Sequence, residues 1–127
     1  MDGNNSILVH NIDPFDIDFT RIVDADESFT NKDFIPENIR GRTLKSVSEE
    51  AKLLGKLPDG LTLNAARYRE GGQEVIEAIN NRTLYVARTA GLENVTPGND
   101  IDSVNAYVQA QRQKQLAIKS GKNICPR

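Results

Sequence analysis

Cysteine, histidine and tryptophan are almost missing from this chain: its 127 residues include one Cys, one His and no Trp. A single cysteine, Cys125, cannot close a disulfide within the chain. One Cys and one His are also too few for the usual zinc sites. They argue against a Cys–His nucleophile as well, because Cys125 lies in the tail that follows the last predicted helix. We therefore expect neither a metal nor another cofactor.

Long hydrophobic runs are missing as well. The apolar runs are short, as in Ile7-Leu8-Val9, whereas a membrane-spanning helix needs about 20 apolar residues. The start of the chain is acidic and polar, unlike a secretory signal, which has a basic start and an apolar stretch. The 38% hydrophobic and 27% charged residues are typical of a globular protein, and the length predicts a single domain over residues 1–127.

The charges are unevenly distributed along the chain. Residues 1–40 hold nine acidic and three basic residues (−6), whereas residues 41–127 hold thirteen basic and nine acidic residues (+4). Two interpretations are open: solvated acidic and basic surfaces, or a basic region that binds nucleic acid. We divide the chain into an acidic part (1–40), a core (41–97) and a basic C-terminal helix with its tail (98–127). Four N-terminal aspartates fit no EF-hand spacing and are interpreted as a solvated face: Asp16, Asp18, Asp24 and Asp26.

The order of the predicted elements indicates an α+β domain, with a small mixed sheet, a central hairpin and three or so helices. Thr43 is a predicted N-cap and Gly55 a predicted stop for the first helix. Gly71-Gly72 joins the two strands of the hairpin. Predicted strands cover residues 6–10, 16–23, 63–69 and 73–79, and predicted helices cover residues 44–54 and 83–90. A last predicted helix is capped by Asp102 or Ser103 and runs to about Lys119. One face of this helix carries Val104, Tyr107, Val108 and Gln111.

A polar turn, Asn80-Asn81-Arg82-Thr83, leads from the second hairpin strand into the following helix. The first backbone N–H groups of a helix lack intrahelical partners, and the helix dipole places positive potential at the same end. Arg82 adds a guanidinium there. The turn therefore predicts an anion site in which Asn80 and Asn81 bind substrate.

Further residues are candidates for the same site. Arg67 and Arg69 alternate on the first hairpin strand and therefore share one face. Arg42, Thr43 and Lys45 stand at the start of the first helix and are predicted to bind substrate. A second interpretation is open for the two strand arginines, in which they form surface ion pairs with glutamates of the opposite strand.

The pattern of residues 42–97 resembles the ParB-like fold family. In that family a helix and a two-strand hairpin precede a polar, Arg-containing turn and a helix that ends in Ala-Gly. Here Ile79-Asn80-Asn81-Arg82-Thr83-Leu84 takes the place of the turn, and Ala90-Gly91 ends the helix. An Asp-Asn-Arg version of the turn is common in ParB-like domains at the C-termini of bacterial polymorphic toxins and contact-dependent growth-inhibition toxins.

The resemblance implies an antibacterial nuclease toxin that is delivered from one bacterial cell surface into the cytoplasm of a target cell. Family members of this kind cleave RNA or DNA, and we favour tRNA as the substrate. A cognate immunity protein would neutralise the toxin in the producing cell. Elongation factor Tu is a candidate helper that would present the tRNA.

The mechanism expected from the resemblance is metal-independent transesterification. Arg82 would hold the scissile phosphate, and Arg67 or Arg69 would stabilise the charge that develops on its oxygens. His10, or a hydroxyl such as that of Thr83, would transfer protons.

Two other functions are open. The first is a non-catalytic module that binds nucleotide or nucleic acid, because this chain has Asn80 where the toxin version has a carboxylate. In that case His10 is a strand residue with no chemical role. The second is a protein-interaction domain that docks through the acidic N-terminal part. Nucleic-acid binding would weaken steeply with added salt, which separates the protein-interaction domain from the nuclease and from the non-catalytic binding module.

Overall fold

A computed structural model describes residues 11–30 and 35–124 of the chain. A short 3-10 helix spans Pro14–Asp16, helix α1 spans Leu44–Leu54, strands β1 and β2 span Ala65–Glu70 and Gln73–Ala78, and helices α2 and α3 span Asn81–Thr89 and Val104–Ser120. The three helices and the two-stranded antiparallel sheet confirm the predicted α+β class and its central hairpin. The strand predicted for residues 6–10 lies outside the described residues. In the described ranges, no helix has the length and apolar character of a membrane span.

Helix α1 begins and ends where the sequence predicts. The Thr43 hydroxyl oxygen accepts a hydrogen bond from the N–H of Ser46 at 3.1 Å, which satisfies one of the free donors of the first turn. Gly55 ends the helix with a φ of 74°, in the left-handed region that favours glycine. The buried face of α1 packs against α2 and closes one half of the core, which includes Phe29, Ile39, Leu44, Val47, Ala51, Leu61 and Val86.

The hairpin and α2 form the other half of the core. Ala65 pairs with Ala78 across the two strands, and both are fully buried. Helix α2 lies between the two halves, because Leu84 packs in the sheet half and Val86 in the α1 half. This packing fixes the polar turn that begins α2 at the junction of the two core clusters.

The prediction of a strand over residues 16–23 is wrong. Asp18 forms a single bridge to the outer edge of β2: its N–H donates to the carbonyl of Ile76 at 2.8 Å, and its carbonyl accepts from Ala78 at 2.9 Å. The 3-10 helix takes the residues before it. After Asp18 the chain leaves the sheet because the backbone of Thr20 bonds to the side chain of Asn81 instead.

The apolar side chains that the sequence places on one face of α3, those of Val104, Tyr107 and Val108, remain substantially exposed. Helix α3 lies on β1 through small side chains, with Ala106 and Ala110 buried against Ala66. Val104 is 79% exposed. The alanines form the contact because their small side chains allow the helix and the strand to approach closely, whereas larger side chains would hold the two elements apart.

A polar cluster around Tyr68 fastens α3 to the hairpin. The Tyr68 hydroxyl donates to a carboxylate oxygen of Glu77 and accepts from Gln111 at 3.0 Å and Lys114 at 2.9 Å. Lys114 also pairs with Glu77 at 2.8 Å, and the Tyr107 ring meets the Tyr68 ring edge to face at 4.8 Å. Burial raises the pKa of Tyr68, and the bond to Glu77 adds to that shift. The cluster therefore sets the position of α3, whose last turns form a wall of the site described next.

Candidate anion-binding site

Helix α2 begins with an uncapped end. Asn80 occupies the N-cap position, but its side chain makes no capping hydrogen bond. The Asn80 amide donates instead to the carbonyl of Thr62 at 3.2 Å. The first N–H groups of a helix have no carbonyl partner within the helix, and the positive end of the dipole lies beside them. The start of α2 therefore favours a negatively charged ligand.

A cavity of about 590 Å³ opens at this end of α2. All four residues of the polar turn (80–83) line it, together with Arg21 from the N-terminal part and Lys122 from the segment after α3. Apolar side chains, among them Phe29, Leu61 and Leu116, form other parts of its wall. The volume lies within the range of about 300–1,000 Å³ that is usual for ligand sites.

Three cationic side chains meet one carboxylate at the edge of this cavity. Arg21 contacts Glu27 at 2.9 Å, Arg82 contacts it at 3.3 Å, and Lys122 contacts it at 3.8 Å. These four side chains together carry a net charge of +2. Because the start of α2 adds positive dipole potential at the same place, the electrostatics of the cavity favour an anion such as a phosphate group.

The titration of Glu27 reflects these neighbours. Burial of the carboxyl group would raise its pKa, but the hydrogen bonds from Arg21 and from the backbone of Asp24, with the charges of Arg21 and Lys122, outweigh burial and lower the pKa to about 2. Glu27 is therefore ionised at neutral pH, and its negative charge is shared by the three cations.

Buried hydrogen bonds hold Arg21 in place through its neighbours in the chain. Asn81 is 3% exposed; its side-chain oxygen accepts from the N–H of Thr20 at 2.8 Å, and its amide donates to the Thr20 hydroxyl at 2.8 Å. Two residues further along the chain, the N–H of Ile22 donates to the carbonyl of Lys122 at 2.7 Å. The segment that carries Arg21 is thus fastened both to α2 and to the end of α3.

The structure brings together the four predicted residues of the polar turn, but gives them different roles. The side chain of Arg82 lies at the cavity with 35% of its surface exposed. Asn81 and Thr83 are buried, and the amide of Asn81 is engaged with Thr20. Asn80 lines the cavity while its amide bonds to Thr62.

The predicted residues of the first helix lie elsewhere. Arg42 forms an ion pair with Glu50 at 2.5 Å, and Thr43 serves as the N-cap of α1. Lys45 is exposed on the first turn of α1. In the described part of the chain, these three residues are not among those that line the cavity.

The two strand arginines also lie apart from the cavity. Arg67 makes a bidentate pair with Asp102, at 2.8 and 2.7 Å, and this partner replaces the cross-strand glutamate that the sequence suggested. The bond raises the pKa of Arg67 further. Arg69 stands opposite Glu74 in the register and donates to the carbonyl of Gly72 at 2.5 Å. Neither arginine joins Arg82.

His10 lies outside the described residues, so its predicted role in proton transfer stays a prediction. Within residues 11–30 and 35–124, no group of three or more His, Cys, Asp or Glu side chains is arranged to hold a metal ion.

Sequence reasoning identifies Arg82 but misses Arg21, Glu27 and Lys122. Arg21 and Glu27 lie six residues apart, but Arg82 and Lys122 are distant from them in the chain, so no local spacing connects the four residues. The signal that does point to them is the uneven charge, because an acidic N-terminal part and a basic C-terminal part attract each other.

No protein-family model, curated protein or solved structure matches this chain.

Proposed function

We propose that this cavity binds a phosphate group of a nucleic acid and that the chain is a nuclease toxin domain acting on RNA, with tRNA as the favoured substrate. The observation that carries the proposal is the meeting of Arg21, Arg82 and Lys122 at the uncapped start of α2. Guanidinium and ammonium groups beside free helix N–H groups are the usual means by which proteins hold phosphate.

The contact distances separate the three cations by role. Arg21 is 13% exposed and makes two short bonds to Glu27, so it is fixed in place. Arg82 and Lys122 are 35% and 48% exposed and contact Glu27 at the longer distances of 3.3 and 3.8 Å. Arg82 and Lys122 are therefore the two cations whose side chains are accessible to a phosphate.

The proposed chemistry uses charge stabilisation. When a ribose 2′-oxygen attacks the phosphorus and the bond to the 5′-oxygen breaks, negative charge grows on the non-bridging oxygens. Arg82, Lys122 and the first N–H groups of α2 would stabilise that charge. The 2′-hydroxyl must lose a proton and the leaving oxygen must gain one, and His10 is the candidate for this transfer.

The biological setting is proposed from the resemblance of residues 42–97 to ParB-like toxins. It comprises delivery from a bacterial cell surface into the cytoplasm of a target cell, neutralisation by a cognate immunity protein, and help from elongation factor Tu. An immunity protein that covers Arg82 and Lys122 would present an acidic surface.

One assay tests the proposal. The chain is incubated with total bacterial tRNA, with and without EDTA, beside the variants Arg82→Ala and Arg69→Ala. Arg69 is the matched control because it is exposed and lies apart from the cavity. We expect discrete cleavage that survives EDTA, is lost in Arg82→Ala and is unchanged in Arg69→Ala. Equal loss in both variants would contradict the site, and loss with EDTA would contradict the metal-independent mechanism.

A non-catalytic module that binds nucleotide or nucleic acid is the second candidate, favoured by one observation. Asn80 is an amide that donates to a backbone carbonyl, so this position offers no base for catalysis. Salt-sensitive binding of tRNA without cleavage, also in a crude bacterial extract that supplies host factors, would support this candidate.

A further inference from the structure

We propose that Glu27 is a positioning residue of this site: it holds Arg82 and Lys122 where a phosphate binds, although its own charge opposes the phosphate. The proposal rests on the proposed function, since it concerns the same cavity. Glu27 acts through the cations and is not itself among the described residues that line the cavity.

Both carboxylate oxygens of Glu27 are engaged. Oε1 accepts from Nη2 of Arg21 at 2.9 Å and from Nε of Arg82 at 3.3 Å. Oε2 accepts from Nη1 of Arg21 at 3.0 Å and from the N–H of Asp24 at 3.1 Å, and Nζ of Lys122 lies 3.8 Å away. One side chain therefore contacts cations from the N-terminal part, from α2 and from the segment after α3.

The backbone of Glu27 is fixed as well, so the carboxylate is a stable reference point. The N–H of Glu27 donates to the carbonyl of Asp24 at 3.1 Å, and its carbonyl accepts from the N–H of Leu44, the first residue of α1, at 2.8 Å. The side chain is 12% exposed, so solvent screens its contacts weakly.

The three cations would not stay together without this carboxylate. Like charges repel, and long Arg and Lys side chains lose considerable rotamer freedom when they are held in one place. With Glu27 present, Arg82 and Lys122 are already ordered before a ligand arrives, so less conformational entropy is lost when the ligand binds.

Positioning and simple charge make opposite predictions. If the charge of Glu27 mattered alone, replacing it with a neutral side chain would raise the local charge from +2 to +3 and tighten phosphate binding. If Glu27 positions the cations, the same replacement weakens binding. The sign of the change decides between the two.

The test is isothermal titration calorimetry of the full chain with inorganic pyrophosphate. Glu27→Gln is compared with Asp26→Asn, which makes the same charge change at the next residue, an exposed one. We expect Glu27→Gln to bind pyrophosphate on the order of tenfold more weakly. This is the lower end of the affinity loss seen in metal sites when a residue that orients a metal ligand is replaced. We expect Asp26→Asn to bind as tightly as the wild type or slightly more tightly.

Two further variants separate positioning from general loss of structure. Glu27→Asp keeps the charge but is one methylene shorter, so we expect it also to weaken binding, and it serves if Glu27→Gln does not fold. In the Arg82→Ala background, Glu27→Gln should have a smaller effect than in the wild type, because one of the groups it positions is gone. A purely structural role predicts equal effects in both backgrounds.

Each result has a definite meaning. Unchanged or tighter binding by Glu27→Gln would overturn the positioning role and leave the phosphate site intact. Failure of the wild-type chain to bind pyrophosphate would overturn the phosphate site, and the role of Glu27 with it.

Discussion

Arg21 and Glu27 face each other through two parallel hydrogen bonds, from Nη1 to Oε2 at 3.0 Å and from Nη2 to Oε1 at 2.9 Å. A bidentate pair of this kind fixes both side chains in distance and orientation. Because Arg82 and Lys122 contact the same carboxylate, this pair is the point at which three separate parts of the fold meet.

Acid is predicted to remove the stability that Glu27 contributes. Its pKa is lowered from 4.5 to about 2 in the folded chain. A lowered pKa gives stability that is fully present above the unfolded value and is lost as the pH falls through the folded value. Between about pH 5 and pH 2, the loss should be on the order of 3 kcal/mol. Urea unfolding of the wild type and of Glu27→Gln, measured across this window, checks the prediction. The stability difference between the two should shrink with falling pH, and a constant difference would contradict it.

Tyr68→Phe is predicted to destabilise the attachment of α3. The variant keeps the ring but removes the hydroxyl that bonds to Glu77, Gln111 and Lys114. Loss of a partly buried hydroxyl with charged partners should cost about 1–3 kcal/mol in the free energy of unfolding. Chemical denaturation measures the cost, with Tyr107→Phe as the control because it preserves the edge-to-face contact. Equal costs in the two variants would show that the hydroxyl cluster has no special role.

The two neighbouring asparagines of the polar turn are predicted to differ in their effect on stability. Asn81→Ala leaves the buried backbone N–H of Thr20 without its acceptor, which should cost about 2–3 kcal/mol. Asn80→Ala removes one longer bond to the carbonyl of Thr62 and should cost less than about 1 kcal/mol. Thermal or urea unfolding of both variants makes the comparison. A larger cost for Asn80→Ala would be inconsistent with these bonds.

Gly98→Ala is predicted to be strongly destabilising because the space beside Gly98 is filled. A Cβ atom at Gly98 would lie 2.5 Å from the side-chain oxygen of Asn64 and 2.7 Å from Cβ of Thr62. Relief of this overlap should cost about 3 kcal/mol or prevent folding. Gly41→Ala is the control, since a Cβ atom at Gly41 would have no contact within 4 Å. The left-handed φ of 78° should reduce the free energy of unfolding of this variant by only about 1 kcal/mol. Similar melting temperatures for the two variants would refute the prediction.

Local signals in the sequence predict most of the helices and the hairpin. Thr43 and Gly55 mark the ends of α1, and Gly71-Gly72 marks the turn of the hairpin, because caps and turns depend on residues close together in the chain. Arg82 is found for the same reason, since a polar turn before a helix creates an anion site from neighbouring residues.

The features that the sequence does not predict depend on contacts between distant residues. The alternating pattern of residues 16–23 is typical of a strand, but Asn81 draws the backbone of Thr20 away from the sheet. The packing face of α3 is set by the surface of β1, where Ala106 and Ala110 are buried while Val104 stays exposed. Glu27 joins the site only because the fold brings its three cationic partners to one place.

The bond between the N–H of Ile22 and the carbonyl of Lys122 has a consequence for synthesis of the chain. A ribosome that adds about 5–20 residues per second needs about 5–20 s to travel from residue 22 to residue 122. Throughout that interval the nascent chain carries Arg21 and Glu27 without Lys122 and without the end of α3. The complete cavity is therefore a late product of translation, and any activity that depends on it begins only after nearly all of these residues have been added.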